Sequence, residues 1–223
     1  MDFNHKTIKD NVAVYIRRMI LSGELKPGDR IIPGDIAGRL HISRGPVREA
    51  LMKLESEGLV RSNPYKGAFV TTMTEKQVNE VCSIRGLLEG YAVDLALPRI
   101  TPEIIGHFEN ILIEMDESSK HKDIEGMVNC DIEFHSCLLK STGHDLLYKI
   151  WADTNTTIAA LFMTFYSKLN IPLKDVVIRH YGLLDAIKSK NAGKAHEAIV
   201  NHYVKMSESY TNLLRENKGE LSK

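Results

Sequence analysis

Four side chains with metal-ligand chemistry stand out, Asp131, His135, His180 and His202. The first two are four residues apart, which sets a carboxylate and an imidazole on one face of a single helix. The other two fall in the last two helical segments. If those segments pack against the helix of Asp131, the four groups can converge on one divalent ion. Three neutral imidazoles with a carboxylate suit zinc, nickel, manganese or iron(II). The chain holds nine histidines, so an Asp-x-x-x-His pair also arises by accident, and spacing alone does not separate ligands from ordinary core histidines. His107, His121, His144 and His196 have no comparable partner and read as surface or core residues.

A second chemistry lies in Ser43-Arg44-Gly45-Pro46-Val47-Arg48-Glu49-Ala50-Leu51, which reads as a turn feeding a helix. Ser43 sits where a hydroxyl caps a free backbone N–H, and Pro46 falls in the first turn, where a missing N–H costs nothing. Val47, Ala50, Leu51 and Leu54 then repeat as one apolar stripe, leaving Arg44 and Arg48 together on the opposite, outward face. Arginine's planar fork donates two hydrogen bonds to O6 and N7 of guanine, so both are candidates for base or phosphate contacts in DNA. Arg30, Ser43 and Gly67 are second-rank candidates. The Ser43 hydroxyl can meet phosphate, and Gly67 lets backbone approach a minor groove.

The elements that must position these groups divide the 223-residue chain in two. Residues 1–73 carry 12 Lys and Arg against 8 Asp and Glu, and residues 74–223 carry 17 against 21, so a neutral total hides a basic first part and an acidic remainder. In the first part the spacing predicts a helix over 7–22 with Gly23 as its stop, a turn at 25–29, a short helix over 35–40 and then the Ser43 helix. Two helices joined by two or three residues form a helix-turn-helix. Leu59–Ser62 and Ala68–Thr71, joined by Asn63-Pro64-Tyr65-Lys66-Gly67, read as a two-stranded wing. From Thr74, with Gln77 completing a capping box, the pattern is helical over 75–97, 102–119, 123–141, 145–168, 173–189 and 192–217. The expected class is thus mainly α: a winged helix-turn-helix over 1–73, an all-helical domain over 74–217, and a tail over 218–223. Cys82, Cys130 and Cys137 lack C-x-x-C spacing and read as small buried side chains of a reducing compartment. No stretch approaches the roughly 20 apolar residues of a membrane span, and the first residues lack a signal peptide's apolar core. The expectation is a cytoplasmic protein with no membrane partner.

Gly23-Glu24-Leu25-Lys26-Pro27-Gly28-Asp29-Arg30-Ile31, the Ser43–Leu51 run and Leu54-Glu55-Ser56-Glu57-Gly58-Leu59-Val60 closely resemble the winged-helix domain of GntR-family bacterial transcription regulators, over about residues 10–71. The remainder is similar to that family's FCD ligand-binding domain, of the fatty-acid-regulator subgroup. There Arg85-Gly86-Leu87-Leu88-Glu89 and Asp131-Ile132-Glu133-Phe134-His135 stand in the expected places. Gly45 and Gly34 depart from the family pattern and remove possible DNA contacts, so the operator sequence does not transfer. The resemblance implies a metal held by Asp131, His135, His180 and His202, and a small carboxylate or sugar-acid effector gripped by Arg85. Arg85 has a second use, an ion pair with Glu89 at i,i+4. Thr154 and Asn155, in an apolar helix, are further pocket candidates.

One winged helix reads few base pairs, so a specific site calls for a homodimer on a palindromic double-stranded operator. Four protein ligands leave open positions on an octahedral ion, where an acid can coordinate, and the 72–77 linker would pass the change to the winged helices. Whether binding releases or promotes DNA contact is open from the residues, and release is what the family most often shows. Two other readings compete. A metal-dependent hydrolase would use the open positions to activate water, but no general base is placed beside the site and residues 1–71 go unexplained. A DNA-binding dimer with a purely structural metal would leave no small molecule to bind.

Overall fold

The computed structural model describes residues 7–21, 24–155, 157–159, 161 and 172–220. The chain divides into two compact units, the first containing Met1–Thr72 and the second Met73–Ile158 with Leu169–Lys223.

In the first unit α1 spans Ile8–Leu21, α2 Pro33–Leu40 and α3 Arg44–Ser56. Val12 and Ile16 of α1, Ile36 and Ala37 of α2, and Val47, Ala50, Leu51 and Leu54 of α3 are all buried, so three amphipathic helices share one core. Between α2 and α3 only 41–43 remain, and His41 closes α2 in the left-handed conformation (φ 53°). The hairpin is present as β2, Val60–Asn63, and β3, Gly67–Val70, paired antiparallel with Val60 opposite Val70 and Asn63 opposite Gly67. A third strand, β1 at Arg30–Ile31, pairs with β3 and makes the sheet order β1-β3-β2. Two residues are too few for alternation to register in a sequence, so this strand is legible only through its partner. At the wing tip Gly67 sits at φ +97° and Tyr65 at φ +66°. The first is ordinary for glycine, the second uncommon for any side chain.

Among the described residues the second unit is built of helices: α4 Glu75–Ala96, α5 Pro102–Lys120, α6 Ile124–Ser141, α7 Asp145–Ala152, α8 Leu173–Lys188 and α9 Ala192–Glu220. Helix α4 packs along α9, α5 lies against α6 and α8, and α6 and α7 close on α4. Phe108 and Phe134 stack tilted at 4.9 Å in the centre. Capping chemistry sets the starts. The Thr74 side chain accepts from Gln77 N while Gln77 returns the bond to Thr74 N, and Thr101 and Asp123 cap α5 and α6.

Several expectations need correction. The segment between the units ends at Thr74, because Glu75 already starts α4, so a linker over 72–77 does not exist as drawn. After α4 ends at Ala96, Pro98 lies in a 3-10 turn, Leu97–Arg99, whose Arg99 donates to the carbonyl of Thr142. A helix over 145–168 stops at Ala152. Asp153 and Thr154 form a turn, with the Thr154 hydroxyl donating to the Trp151 carbonyl at 2.6 Å, and helical backbone resumes at Asn155. Short polar side chains that bond nearby carbonyls compete with helix continuation there. Ser43 occupies the N-cap position of α3 with extended backbone, but its side chain makes no cap hydrogen bond. Ser22, Gly23, 162–168 and 221–223 lie outside the described residues.

Candidate metal centre and nucleic-acid interface

The ligand set assembles from three helices. α6 carries Asp131 and His135 one turn apart, α8 brings His180 and α9 brings His202. One donor atom from each of the four lies within 4.8 Å of all the others. Asp131, His135 and His180 are buried and His202 is half-buried. Five atoms face one another here without a hydrogen-bond partner: both carboxylate oxygens of Asp131 and the Nε2 atoms of His135, His180 and His202. Asp131 Oδ1 is 3.0 Å from His180 Nε2, yet the two are not aligned as a hydrogen bond. Five unpaired buried polar atoms would be costly as a packing arrangement, whereas three imidazole nitrogens and one carboxylate around a common point fit a divalent cation. Burial, followed by the neighbouring His180 and His135, holds the His202 imidazole well below its ordinary pKa, so it is neutral and its lone pair free at pH 7.

The rings are aimed by outer contacts. His180 Nδ1 meets the Val176 carbonyl at 2.8 Å, and His135 Nδ1 meets Glu89 Oε2 at 2.5 Å. Glu89, fully buried on α4, accepts at Oε1 from Trp151 Nε1 and from the Tyr203 hydroxyl, both at 2.6 Å. Burial by itself would raise its pKa, but the adjacent His135 and Arg85 outweigh that and hold the carboxyl down at about 2.

Arg85, also fully buried on α4, pairs with Glu89 at 3.2 Å, donates from Nε to the Tyr203 hydroxyl at 3.0 Å, and lies 4.4 Å over the Trp151 ring. Its Nη1 donates to Thr154 Oγ1 at 3.0 Å and Asn155 Oδ1 at 2.7 Å, and its Nη2 has no hydrogen-bond partner. The Nη2 without a hydrogen bond is the atom that forms the ion pair with Glu89 Oε1. Asn155 touches Arg85 directly. Sequence reasoning placed Glu89 only as a rival partner of Arg85 and missed Trp151 and Tyr203. The i,i+4 spacing of Arg85 and Glu89 and the adjacency of Tyr203 to His202 were the available signals.

In the first unit Arg44 and Arg48 are exposed on α3, as are Ser43, Arg30 on β1 and Gly67 on β3. Among the described residues neither Arg30, Arg44 nor Arg48 makes an ion pair or side-chain hydrogen bond, while Arg17, Arg39 and Lys53 are engaged by Glu57, Glu24 and Asp10. The Arg44 guanidinium lies beside Gly34, where an added Cβ would sit 3.4 Å from Nη2, and Arg30 lies beside Gly67, where a Cβ would sit 3.5 Å from Nε. Both departures to glycine noted in the sequence therefore bear on the surroundings of Arg44, with Gly45 next to it in the chain.

A helix-turn-helix with a wing, joined to a helical domain holding a buried His and Asp cluster, defines a class of two-part regulators. Residues 8–70 match the model for bacterial regulatory proteins of the gntR family and residues 80–205 match the FCD domain, so the chain belongs to the gntR family with an FCD domain. It is similar to YdhC of Bacillus subtilis strain 168, an uncharacterized HTH-type transcriptional regulator. The two are 27% identical over 205 residues, which is 91% of each chain. The gluconate operon transcriptional repressor of Bacillus licheniformis is 27% identical over 184 residues, 81% of this chain and 75% of that one. The solved structure of E. coli McbR/YncC shares the fold with a TM-score of 0.65 at 22% identity, covering 95% of this chain and 99% of that one. The chain is accordingly a DNA-binding transcription regulator and not an enzyme, and the hydrolase reading falls. Among the described residues no helix is long and apolar enough to cross a membrane.

Proposed function

We propose that this chain is a ligand-responsive repressor in which 1–73 reads a palindromic operator as a homodimer and 74–217 senses a small organic acid at a divalent metal. The five unpartnered buried atoms of Asp131, His135, His180 and His202 carry the metal assignment. Zinc, nickel, manganese or iron would there supply Lewis acidity and open coordination positions for an acid group. The Nη2 of Arg85, ion-paired with Glu89 but without a hydrogen bond, supports reading the guanidinium as the group that takes an acid, and Asn155 holds that guanidinium in place. On the DNA side the uncommitted Arg44 and Arg48 reach for base edges. Arg30, the unengaged hydroxyl of Ser43 and the wing backbone at Gly67 meet phosphate and the minor groove. An effector changes operator affinity only by its differential affinity for the two dimer arrangements, and release is the direction we assign.

The deciding experiment is thermal stability of metal-loaded protein against carboxylic, hydroxy and sugar acids, with Asp131→Ala and Arg85→Ala controls. The names of the gluconate operon repressors put gluconate in that panel. A stabilising acid whose effect vanishes in both variants, and which releases an operator fragment, is the expected result. A second reading, a purely structural metal, draws on the complete burial of Arg85, Glu89, His135 and His180. It gains ground if no acid shifts the melting temperature while metal does.

A further inference from the structure

Resting on the reading of the four-residue cluster as a metal site, we propose that Glu89 is its positioning residue, a carboxylate that fixes His135 for the metal and anchors Arg85 in the same stroke. Its two oxygens have separate tasks. A metal taking His135 through Nε2 requires the proton on Nδ1. That proton points at Glu89 Oε2 across 2.5 Å, so the carboxylate selects the tautomer and the ring orientation together. The other oxygen, Oε1, accepts from Trp151 Nε1 and the Tyr203 hydroxyl at 2.6 Å each and faces Arg85 Nη2 at 3.2 Å. Tyr203 accepts in turn from Arg85 Nε at 3.0 Å, which ties the guanidinium to Glu89 a second time. His180, by contrast, is oriented by a backbone carbonyl, so its ring depends on no titratable or charged side chain at Nδ1.

The need is for two acceptor oxygens, and this makes the position sensitive to a nearly isosteric change. An amide offers one acceptor and one NH2. In either orientation Glu89→Gln sets that NH2 against the His135 Nδ1–H on one side or the Trp151 and Tyr203 donors on the other, and it removes the charge that pairs with Arg85. Metal ligand and guanidinium are thereby one mechanical unit, and a rotation of the carboxylate is felt by both.

Zinc titration of the full chain in competition with a chromophoric chelator tests this, with wild type, Glu89→Gln and Asp131→Ala compared at one pH. The Glu89→Gln chain is expected to bind zinc about 10–100-fold more weakly. The slowly exchanging Nδ1 proton of His135 in proton spectra is expected to vanish while that of His180 persists. Unchanged zinc affinity with only a lower metal-free melting temperature would make Glu89 a packing residue and overturn the proposal. The Asp131→Ala chain separates the two claims. If it binds zinc as wild type does, the metal assignment fails; if it loses zinc while Glu89→Gln retains it, only the role of Glu89 fails. Should Glu89→Gln not fold, Glu89→Asp keeps two acceptor oxygens but withdraws them from His135 Nδ1 by one methylene, and zinc affinity unchanged in that variant overturns the proposal equally.

Discussion

Arg48 stands on the exposed face of α3 with no partner among the described residues, so its side chain is free to meet DNA at little cost in lost internal contacts. Arg48→Ala is expected to weaken operator binding by about 1–3 kcal/mol, read by a salt-matched titration, with the melting temperature unmoved. At the same scale the thiols behave as core atoms. Burial pushes Cys82 up to about 12 and Cys137 up to about 11, and all three cysteines are buried and unpaired. Thiolate is the reacting form, so maleimide at neutral pH should label the native protein slowly and label it fully only on unfolding. Rapid labelling of the native protein would show that α4 or α6 opens locally. The residue types at both candidate sites are legible in the sequence, because a capped helix with two arginines and an Asp-x-x-x-His pair are local patterns. Glu89 is not, since its meaning depends on His135, Trp151 and Tyr203, which lie 46, 62 and 114 residues away.

Among the elements, α4 carries the heaviest positional duty, because Arg85 and Glu89 both stand on it and its start follows directly on the first unit. That start is a reciprocal capping box, with Thr74 N donating to Gln77 Oε1 at 2.9 Å and Gln77 N donating to Thr74 Oγ1 at 3.2 Å. Thr74→Ala should cost about 1 kcal/mol. That corresponds to a melting temperature lowered by about 2–4 °C, measurable by calorimetry, and Thr74→Ser should restore most of it. Helix positions were readable from the 3.6-residue period nearly everywhere. The exceptions have local causes. Thr154, whose hydroxyl donates to the Trp151 carbonyl, lies in the turn that ends α7, and β1 is too short to show alternation and exists by pairing Arg30 with Phe69 and Ile31 with Ala68.

For the whole molecule, metal is expected to act as part of the fold of the second unit. Zinc at one hundred times its dissociation constant stabilises a folded state by about 2.7 kcal/mol, or about 5–10 °C in melting temperature for a chain of this size. Chelation should reverse the shift, and Asp131→Ala should abolish it; a shift that survives in that variant would place the metal elsewhere. The order of residues alone specifies two units of opposite charge, a winged helix-turn-helix and a helical partner domain, which rest on local periodicity, capping and composition and need no knowledge of neighbours in space. The four groups able to ligate an ion are singled out by the family resemblance, since spacing alone does not separate them from other histidines. Only the tertiary structure brings α6, α8 and α9 close enough to set Asp131, His135, His180 and His202 within reach of one ion. Only it shows Glu89 shared between His135 and Arg85. Convergence of that kind depends on how helices cross, and crossing is set by the packing of side chains distant in sequence.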